Sequence, residues 1–190
     1  MTSHVDLQQV LWPVHCVANV TSGPTSSNLV DSLHTETSDV IIQKGSDCYI
    51  DSYSVFFDNG GLKSTGLEHV LRMRGVDTVF VVGLALDYCV YYTALDARRL
   101  GFQTYTVLDA ARGVAPDTVE SATRHMVETG VHLINSGEIA DVLDVQNTSV
   151  AASTAGGQCV VVLATKWVRL DPKLDKSGTF SDQISVHLAR

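Results

Sequence analysis

Cys89 is the residue whose type and position best suit nucleophilic chemistry. It follows a turn, residues 83–88, that joins an apolar, β-branched segment to a segment with helical spacing. A thiol in the first turn of a helix faces unpaired backbone N–H groups and the positive end of the helix dipole, which favours the reactive thiolate. The same N–H groups can stabilise an oxyanion. The alternative is a buried cysteine that packs as a small hydrophobic residue.

Lys44 is the second candidate, because it ends a short, largely apolar segment that begins at Val40 and it precedes Gly45. A lysine at the end of a strand can lie beside a cleft. When it is partly desolvated there, its amine keeps a neighbouring thiolate or carboxylate charged and can position a proton. The alternative is a solvated lysine at a strand terminus.

Metal-ligating and aromatic residues cluster near the start of the chain. His15 and Cys16 are both of metal-binding types, but adjacent positions rarely share one ion, and a lone histidine is more often structural. Trp12, Tyr49 and Tyr53 are candidates for the wall of a pocket that binds an aromatic ligand, although core packing is the ordinary role of each.

The segments that must position Lys44 and Cys89 alternate between strand and helix patterns, which predicts a three-layer α/β/α fold with a parallel sheet. Ligands bind at the carboxyl ends of the strands in such a sheet. Both candidates follow predicted strands. The predicted strands are 40–44, 78–83, 103–108 and 131–134. Three helices are predicted between them. The first has about ten residues, begins with a capping box at 65–68 and ends at Gly75; the second covers 87–100 and ends at Gly101; the third runs from Pro116 to Gly130.

The pattern weakens after about Ala140, so we divide the chain into a domain at residues 1–140 and an unassigned extension at residues 141–190. Residues 149–157 are small and polar and resemble a linker, whereas residues 159–164 have the apolar character of one more strand. The last twenty residues carry no pattern that predicts an element.

Composition excludes several classes of protein. The formal net charge is −8 and no Lys/Arg-rich run occurs, which argues against a nucleic-acid partner. No window approaches 18 apolar residues and residues 1–9 lack an apolar signal region, so we expect a soluble, cytoplasmic protein without a membrane partner. The four cysteines form no CxxC pair, and we expect all of them to be free thiols; they are Cys16, Cys48, Cys89 and Cys159.

Several blocks of sequence, in matching order and spacing, extend this interpretation. They are WPVHCV at 12–17, KG at 44–45, DSYS at 51–54, GLALDYCV at 83–90, TALDA at 93–97 and DAARGV at 109–114. Together they resemble the nicotinamidase/pyrazinamidase branch of the isochorismatase-like hydrolases, from about residue 8 to Glu138. The cysteine block indicates the superfamily, and the Trp-Pro-x-His-Cys block indicates the nicotinamidase branch.

The resemblance implies a reaction and roles for the two candidates. Cys89 is then the nucleophile that attacks the carboxamide carbon of nicotinamide; ammonia leaves, and water releases nicotinate from a thioester. Lys44 matches the catalytic lysine of the family. Backbone N–H groups of Ala85 and Cys89 form the oxyanion hole, beside a cis peptide bond between Leu84 and Ala85.

The resemblance also implies a cofactor and a substrate pocket. His15 matches a ligand of a divalent metal, usually zinc, which binds the pyridine nitrogen. Trp12, Tyr53, Leu84 and Tyr88 match residues at the substrate. The substrates implied are nicotinamide and pyrazinamide, the process is NAD salvage, and a homo-oligomer is left open.

The match is incomplete at the N-terminal side. The family's chain begins with a strand that ends in the third catalytic residue, an aspartate, and a second strand leads to the Asp-x-His segment and a further histidine of the metal site. His4 and Asp6 do not have that spacing. We therefore expect an incomplete metal site, weak or absent activity of this chain, and an exposed edge at the centre of the sheet, where those strands belong.

Three hypotheses follow from the sequence. The first is a nicotinamidase whose recorded chain is truncated. The second is a non-catalytic fragment that acts as a binding or regulatory protein. The third is a related amidohydrolase that acts on another substrate, such as a carbamoyl-amine or an isochorismate-type compound.

Overall fold

In the computed structural model, the described residues are 39–47, 49–150, 158–165 and 182–187, and side chains are described up to residue 144. Trp12, His15 and Cys16 and the predicted linker up to Gly157 therefore lie outside the described side chains. In the described part, no helix has the length and apolar character that crossing a bilayer requires.

Six described strands form one sheet, in the order β1-β6-β5-β2-β3-β4. The pairs β2–β3, β2–β5 and β3–β4 are parallel, whereas β6 runs antiparallel to both of its neighbours. The strands are β1 (Val40–Lys44), β2 (Val76–Leu84), β3 (Gln103–Arg112), β4 (His132–Ile134), β5 (Gln158–Thr165) and β6 (Asp182–His187). All five predicted strands are confirmed, β2 and β3 are longer than predicted, and the parallel sheet contains one reversed strand.

Strands β5 and β6 correct two expectations, one about the edge left by the missing N-terminal strands and one about the last twenty residues. β5 lies parallel to β2, with Thr165 opposite Leu84, and β6 lies between β5 and β1. The expected exposed edge beside β2 is therefore absent among the described strands, because β5 donates and accepts the hydrogen bonds there. The last twenty residues, for which no element was predicted, contribute β6 to the sheet.

Helices cover both faces of the sheet, which confirms the α/β fold class. Leu67, Leu71 and Met126 of the helices on one face pack with Val79 and Val81 of β2. On the other face, the last helix contributes Val142 and Leu143 to a smaller cluster around Phe80. The helices are α1 (Leu67–Met73), α2 (Tyr91–Arg99), α3 (Pro116–Glu128) and α4 (Ile139–Val150). The sequence did not predict α4.

The start of α1 corrects the predicted capping box. Gly66 is the N-cap, in a left-handed conformation with φ of 86°, and makes no side-chain cap hydrogen bond. Thr65, one residue earlier, donates its hydroxyl to the carbonyl of Val55 at 2.6 Å and accepts from the N–H of Leu67, the first helical residue, at 3.2 Å. The helix has seven residues rather than about ten, although Gly75 follows its end with positive φ as predicted.

The turn that carries Cys89 also differs from the prediction. Residues Leu86–Val90 form a single π-helical turn, and α2 begins only at Tyr91. The carbonyl of Ala85 accepts hydrogen bonds from the N–H groups of Tyr88 and Val90, both at 3.0 Å. π-Turns of this kind are frequent at functional sites. The predicted helix over 87–100 is thus a π-turn followed by an α-helix.

Candidate active site

Lys44 and Cys89 meet at the carboxyl end of the sheet, as their positions after two strands predicted. Lys44 is the last residue of β1, and Cys89 lies five residues after the end of β2. The Nζ atom of Lys44 lies 3.5 Å from the Sγ atom of Cys89. Both residues are 1% exposed, so the amine and the thiol share an environment from which most water is excluded.

Among the described residues, three acceptors surround the Lys44 amine. Its Nζ atom donates to the carbonyl oxygen of Ser52, to that of Tyr53 at 3.2 Å and to the sulfur of Cys89. An ammonium group has three N–H donors and no acceptor, so these partners match the protonated form. Burial of a lysine without such partners is costly. The alternative of a solvated strand-end lysine is therefore wrong.

The loop that supplies the two carbonyls is hydrogen-bonded to the rest of the domain. Within the loop, the N–H of Tyr53 donates to the Oδ1 atom of Asn59 at 2.9 Å. The N–H of Val55 donates to the hydroxyl of Thr93, on α2, at 3.1 Å. Because α2 continues directly from the turn of Cys89, the same helix positions the thiol and the loop that binds Lys44.

The Cys89 thiol lies in an apolar setting on its other side. Cys89 is free and belongs to the main core cluster, which partly agrees with the alternative of a packed, hydrophobic cysteine. The nearby Lys44 amine distinguishes it from an ordinary core thiol. Ala85 is 6% exposed, and the peptide bond between Leu84 and Ala85 is cis, as the resemblance implied.

Two of the predicted substrate-binding residues lie together beside this pair. The rings of Tyr53 and Tyr88 pack edge to face with centroids 5.7 Å apart, and Tyr92 packs against Tyr53 at 5.2 Å. Leu84 is 37% exposed at the end of β2. Tyr49, the third aromatic candidate in this region, is 85% exposed and does not wall a buried pocket. Trp12, the remaining candidate, lies outside the described residues.

Two cavities border the loop whose carbonyls bind the Lys44 amine. One of about 270 Å³ is lined by Lys44 and Ser52 and also by Asp58, Asp47 and Lys63. The other, of about 380 Å³, lies between the loop and α2. Its lining includes Tyr53, Tyr92, Asp96 and Arg99. Neither of these two cavities includes Cys89.

Two carboxyl groups in these cavities have altered acidity. Burial raises the pKa of the Asp96 carboxyl, and a hydrogen bond from Ser54 and the charge of Arg99 oppose that rise. A hydrogen bond from the Lys63 side chain is the main reason why the pKa of the Asp47 carboxyl is lowered. The Lys63–Asp47 pair lies on the exposed side of its cavity and contributes little to stability.

The implied metal does not fit the described residues. In residues 39–47 and 49–144, no three His, Cys, Asp or Glu side chains are grouped so that they could hold an ion. His15, the one residue that matches a ligand, lies outside the described part. The zinc site stays a prediction of the sequence.

Comparisons with known proteins show the family to which the chain belongs. The isochorismatase domain model matches residues 1–138. The chain belongs to the isochorismatase family. It is 40% identical over 132 residues to a nicotinamidase of Acinetobacter baylyi, a match that covers 69% of this chain and 60% of that protein.

Solved structures of similar proteins also superpose on this chain. The nicotinamidase/pyrazinamidase of Acinetobacter baumannii superposes with a TM-score of 0.64 at 40% identity, covering 71% of this chain and 64% of that one. The protein PnC1 of L. infantum, solved in complex with nicotinate, superposes with a TM-score of 0.61 at 37% identity, covering 67% and 62%. This member of the isochorismatase family therefore spans 60 to 64% of the length of these three relatives.

The sequence did not predict the groups that fix Lys44 and the turn of Cys89 in position. The carbonyls of Ser52 and Tyr53 act through the backbone, which no side-chain pattern reveals. Asp87 is buried and accepts hydrogen bonds from the segment that precedes α3. A signal for it exists in the sequence: Ala115, the N-cap of α3, has no side chain that can cap a helix.

Proposed function

We propose that this chain carries the thiol–amine pair of a nicotinamidase, which hydrolyses nicotinamide to nicotinate and ammonia. The observation that carries the proposal is the 3.5 Å separation of the Lys44 Nζ and Cys89 Sγ atoms at the carboxyl end of the sheet. Similarity to nicotinamidases over about two thirds of the chain supports this substrate over others. The nicotinate complex of the L. infantum relative supports a pyridine-3-carboxyl ligand.

The proposed reaction has two steps. The Cys89 sulfur attacks the carboxamide carbon, the C–N bond breaks, and the proton of the thiol leaves on ammonia, so that a nicotinoyl thioester remains. Water then attacks the thioester carbon, the C–S bond breaks, one proton of the water restores the thiol, and nicotinate leaves while the other proton is released to solvent. Lys44 holds the sulfur in place, and because its partners match the protonated amine, it gives its proton to the leaving nitrogen and then takes the proton of the thiol. We assign oxyanion stabilisation to the backbone N–H groups of Ala85 and Cys89.

We further propose that these 190 residues alone turn over slowly. None of them matches the aspartate that the resemblance implies as the third catalytic residue, and a general acid–base group of that kind contributes about 10²–10⁴-fold. We also propose that the protein acts in cytoplasmic NAD salvage, that pyrazinamide is a second substrate and that the chain assembles into a homo-oligomer.

The test measures both product and intermediate. Purified chain is incubated with nicotinamide, ammonia is assayed, and acid-quenched samples are digested to detect a nicotinoyl adduct on the Cys89 peptide by mass spectrometry. We expect slow ammonia release and the adduct, and we expect Cys89→Ala to abolish both. Cys159→Ala, which removes a thiol from β5, is the matched control and is expected to behave as wild type.

Absence of both signals in the wild-type chain, or equal signals in Cys89→Ala, contradicts the proposal. Parallel assays with a carbamoyl-amine substrate and with isochorismate test the third hypothesis, a related amidohydrolase with another substrate. Faster turnover of either compound than of nicotinamide would identify that compound as the better substrate. A chain that binds nicotinamide but forms neither ammonia nor adduct supports the non-catalytic hypothesis.

A further inference from the structure

Asp87 is a buried carboxylate, two residues before Cys89, that the proposed reaction does not use. The residue is 6% exposed, although it lies in the short turn that presents the thiol. An ionised carboxylate is costly to bury unless hydrogen bonds compensate for the lost water. The partners of its two oxygens therefore indicate what the residue does.

The hydrogen-bond partners of Asp87 lie in a segment that is distant in sequence, at the start of α3. The N–H of Val114 donates to Oδ1 at 3.0 Å and to Oδ2 at 3.1 Å. The N–H of Ala115 donates to Oδ2 at 3.3 Å. The hydroxyl of Thr118 donates to the same oxygen at 2.5 Å. Two backbone donors and one hydroxyl thus converge on one side chain.

This carboxylate accepts hydrogen bonds at the amino end of α3, from the N–H of the N-cap residue Ala115 and from the hydroxyl of Thr118 in the first turn. Ala115 is the N-cap of α3 and provides no side-chain hydrogen bond, and Pro116 has no N–H to satisfy. A negative charge at the amino end of a helix also interacts favourably with the helix dipole. The amino end of α3 and the turn of Cys89 are consequently joined through Asp87.

The backbone around this contact is packed closely. Ala111 and Arg112 at the end of β3 lie opposite Gly83 and Leu84 of β2, so the loops after both strands are neighbours. A Cβ atom at Gly113 would lie 2.0 Å from the Cγ2 atom of Val119 and 3.2 Å from Oδ1 of Asp87. A larger residue at Gly113 would push the two segments apart.

We propose that Asp87 is a positioning residue that holds the Cys89 turn against the amino end of α3 and so directs the thiol toward Lys44. This proposal rests on the proposed function, because the direction of the thiol affects catalysis only if Cys89 is the nucleophile. The contact itself stands on the hydrogen bonds and packing of Asp87, Thr118 and Gly113, and it can be tested whether or not nicotinamide is the substrate.

The Oδ2 atom of Asp87 takes part in the contact with every one of these donors. It accepts from the N–H groups of Val114 and Ala115 and from the hydroxyl of Thr118, whereas Oδ1 accepts only from the N–H of Val114, which it shares with Oδ2. An asparagine whose amide oxygen takes the place of Oδ2 would therefore keep all three donors. Asp87→Asn is consequently a weak test of the contact.

The experiment uses Thr118, because its substitution changes the contact without removing the buried charge. Thr118→Val removes the hydroxyl at nearly equal shape, whereas Thr118→Ser keeps it. Thr123→Val is the matched control: Thr123 lies on the same helix, but its hydroxyl donates only to Val119 and Glu120 of that helix. Cys89 alkylation by iodoacetamide is followed by peptide mass spectrometry, and kcat and KM for nicotinamide are measured in parallel.

We expect Thr118→Val to raise the alkylation rate of Cys89 about tenfold, since a buried thiol reacts only when its turn opens locally. We expect it to lower kcat about tenfold with little change in KM, as a misdirected nucleophile should. Thr118→Ser is expected to restore both values, and Thr123→Val to match wild type. Melting temperatures that stay equal exclude global unfolding as the cause.

The two proposals fail differently. If Thr118→Val and Thr123→Val are alkylated at the same rate as wild type, Asp87 does not position the turn, whatever the activity. If wild type forms no product and no adduct from nicotinamide, the proposed function fails, while the alkylation pattern still decides the role of Asp87.

Discussion

At the scale of single residues, Lys44 and Cys89 constrain each other. Burial of the amine is compensated by two carbonyls and a sulfur, which accept hydrogen bonds from it in the described part of the chain. The sulfur, in turn, belongs to an apolar cluster and has this amine as its hydrogen-bond donor. The local sequence around each residue does not explain its burial, because the partners of both side chains come from other segments of the chain.

Replacement of Lys44 by methionine tests this interdependence. The change leaves the carbonyls of Ser52 and Tyr53 buried without their donor, so we expect the free energy of unfolding to fall by about 2 kcal/mol or more, and product formation to be lost. Urea unfolding measures the first effect. Lys63→Met is the control, because the Lys63 side chain is 61% exposed and its ion pair with Asp47 contributes about 0–1 kcal/mol. Equal effects of the two substitutions would contradict the role given to Lys44.

Asp96 provides a pH-dependent prediction. Because burial raises its pKa above the ordinary value of 3.8, the folded state holds this proton more tightly than the unfolded state. The contribution of Asp96 to stability therefore falls as the pH rises from about 3.8 through the folded-state pKa. We expect Asp96→Asn to gain stability relative to wild type over that window, measured by urea unfolding between pH 4 and 7. A difference in the free energy of unfolding that stays constant with pH would rule the effect out.

At the scale of elements, the parts of the site are held by neighbours that are remote in sequence. α2 provides Thr93 to the loop that binds Lys44, and the amino end of α3 provides donors to the turn of Cys89. The π-turn between β2 and α2 is short, so its direction depends on these contacts rather than on its own hydrogen bonds. Changes in the loop after β3 should consequently affect the thiol.

Gly113→Ala tests this connection. An added Cβ would lie 2.0 Å from Val119 and 3.2 Å from Asp87, so the loop must shift. We expect the melting temperature to fall, with a loss of about 1–3 kcal/mol in the free energy of unfolding, as for other overpacked sites. Gly137→Ala is the matched control, because a Cβ there meets no atom within 4 Å. A Gly113→Ala protein that melts with the control would mean that the loop yields freely.

At the scale of the whole molecule, the carboxy-terminal strands complete the sheet between the two halves of the site. β1, which ends in Lys44, reaches β2 only through β6 and β5 in the order of the sheet. β5 pairs with β2 along its whole length, from Gln158 to Thr165. Strand pairing of this kind satisfies backbone groups that would otherwise offer an edge to other chains.

Removal of these strands tests their contribution. A chain that ends at residue 157 would leave β2 with an unpaired edge, and we expect it to aggregate and to melt at a lower temperature than the full chain. A chain that ends at residue 187 keeps both β5 and β6 and is expected to resemble the full chain. Light scattering and thermal melting measure the difference. A monomeric, equally stable chain of 157 residues would show that β5 and β6 are dispensable.

The sequence by itself determined the order of the elements from β1 to β4, because apolar runs, a proline and glycines with positive φ act locally. It also identified Cys89 and Lys44 and the family, since short blocks of residues carry the chemistry. The π-turn, the start of α1, the helix α4 and the place of β5 and β6 were decided only by tertiary structure. The same holds for the carbonyls around Lys44 and the partners of Asp87. These features depend on hydrogen bonds and packing between segments tens of residues apart, and a local pattern does not contain that information.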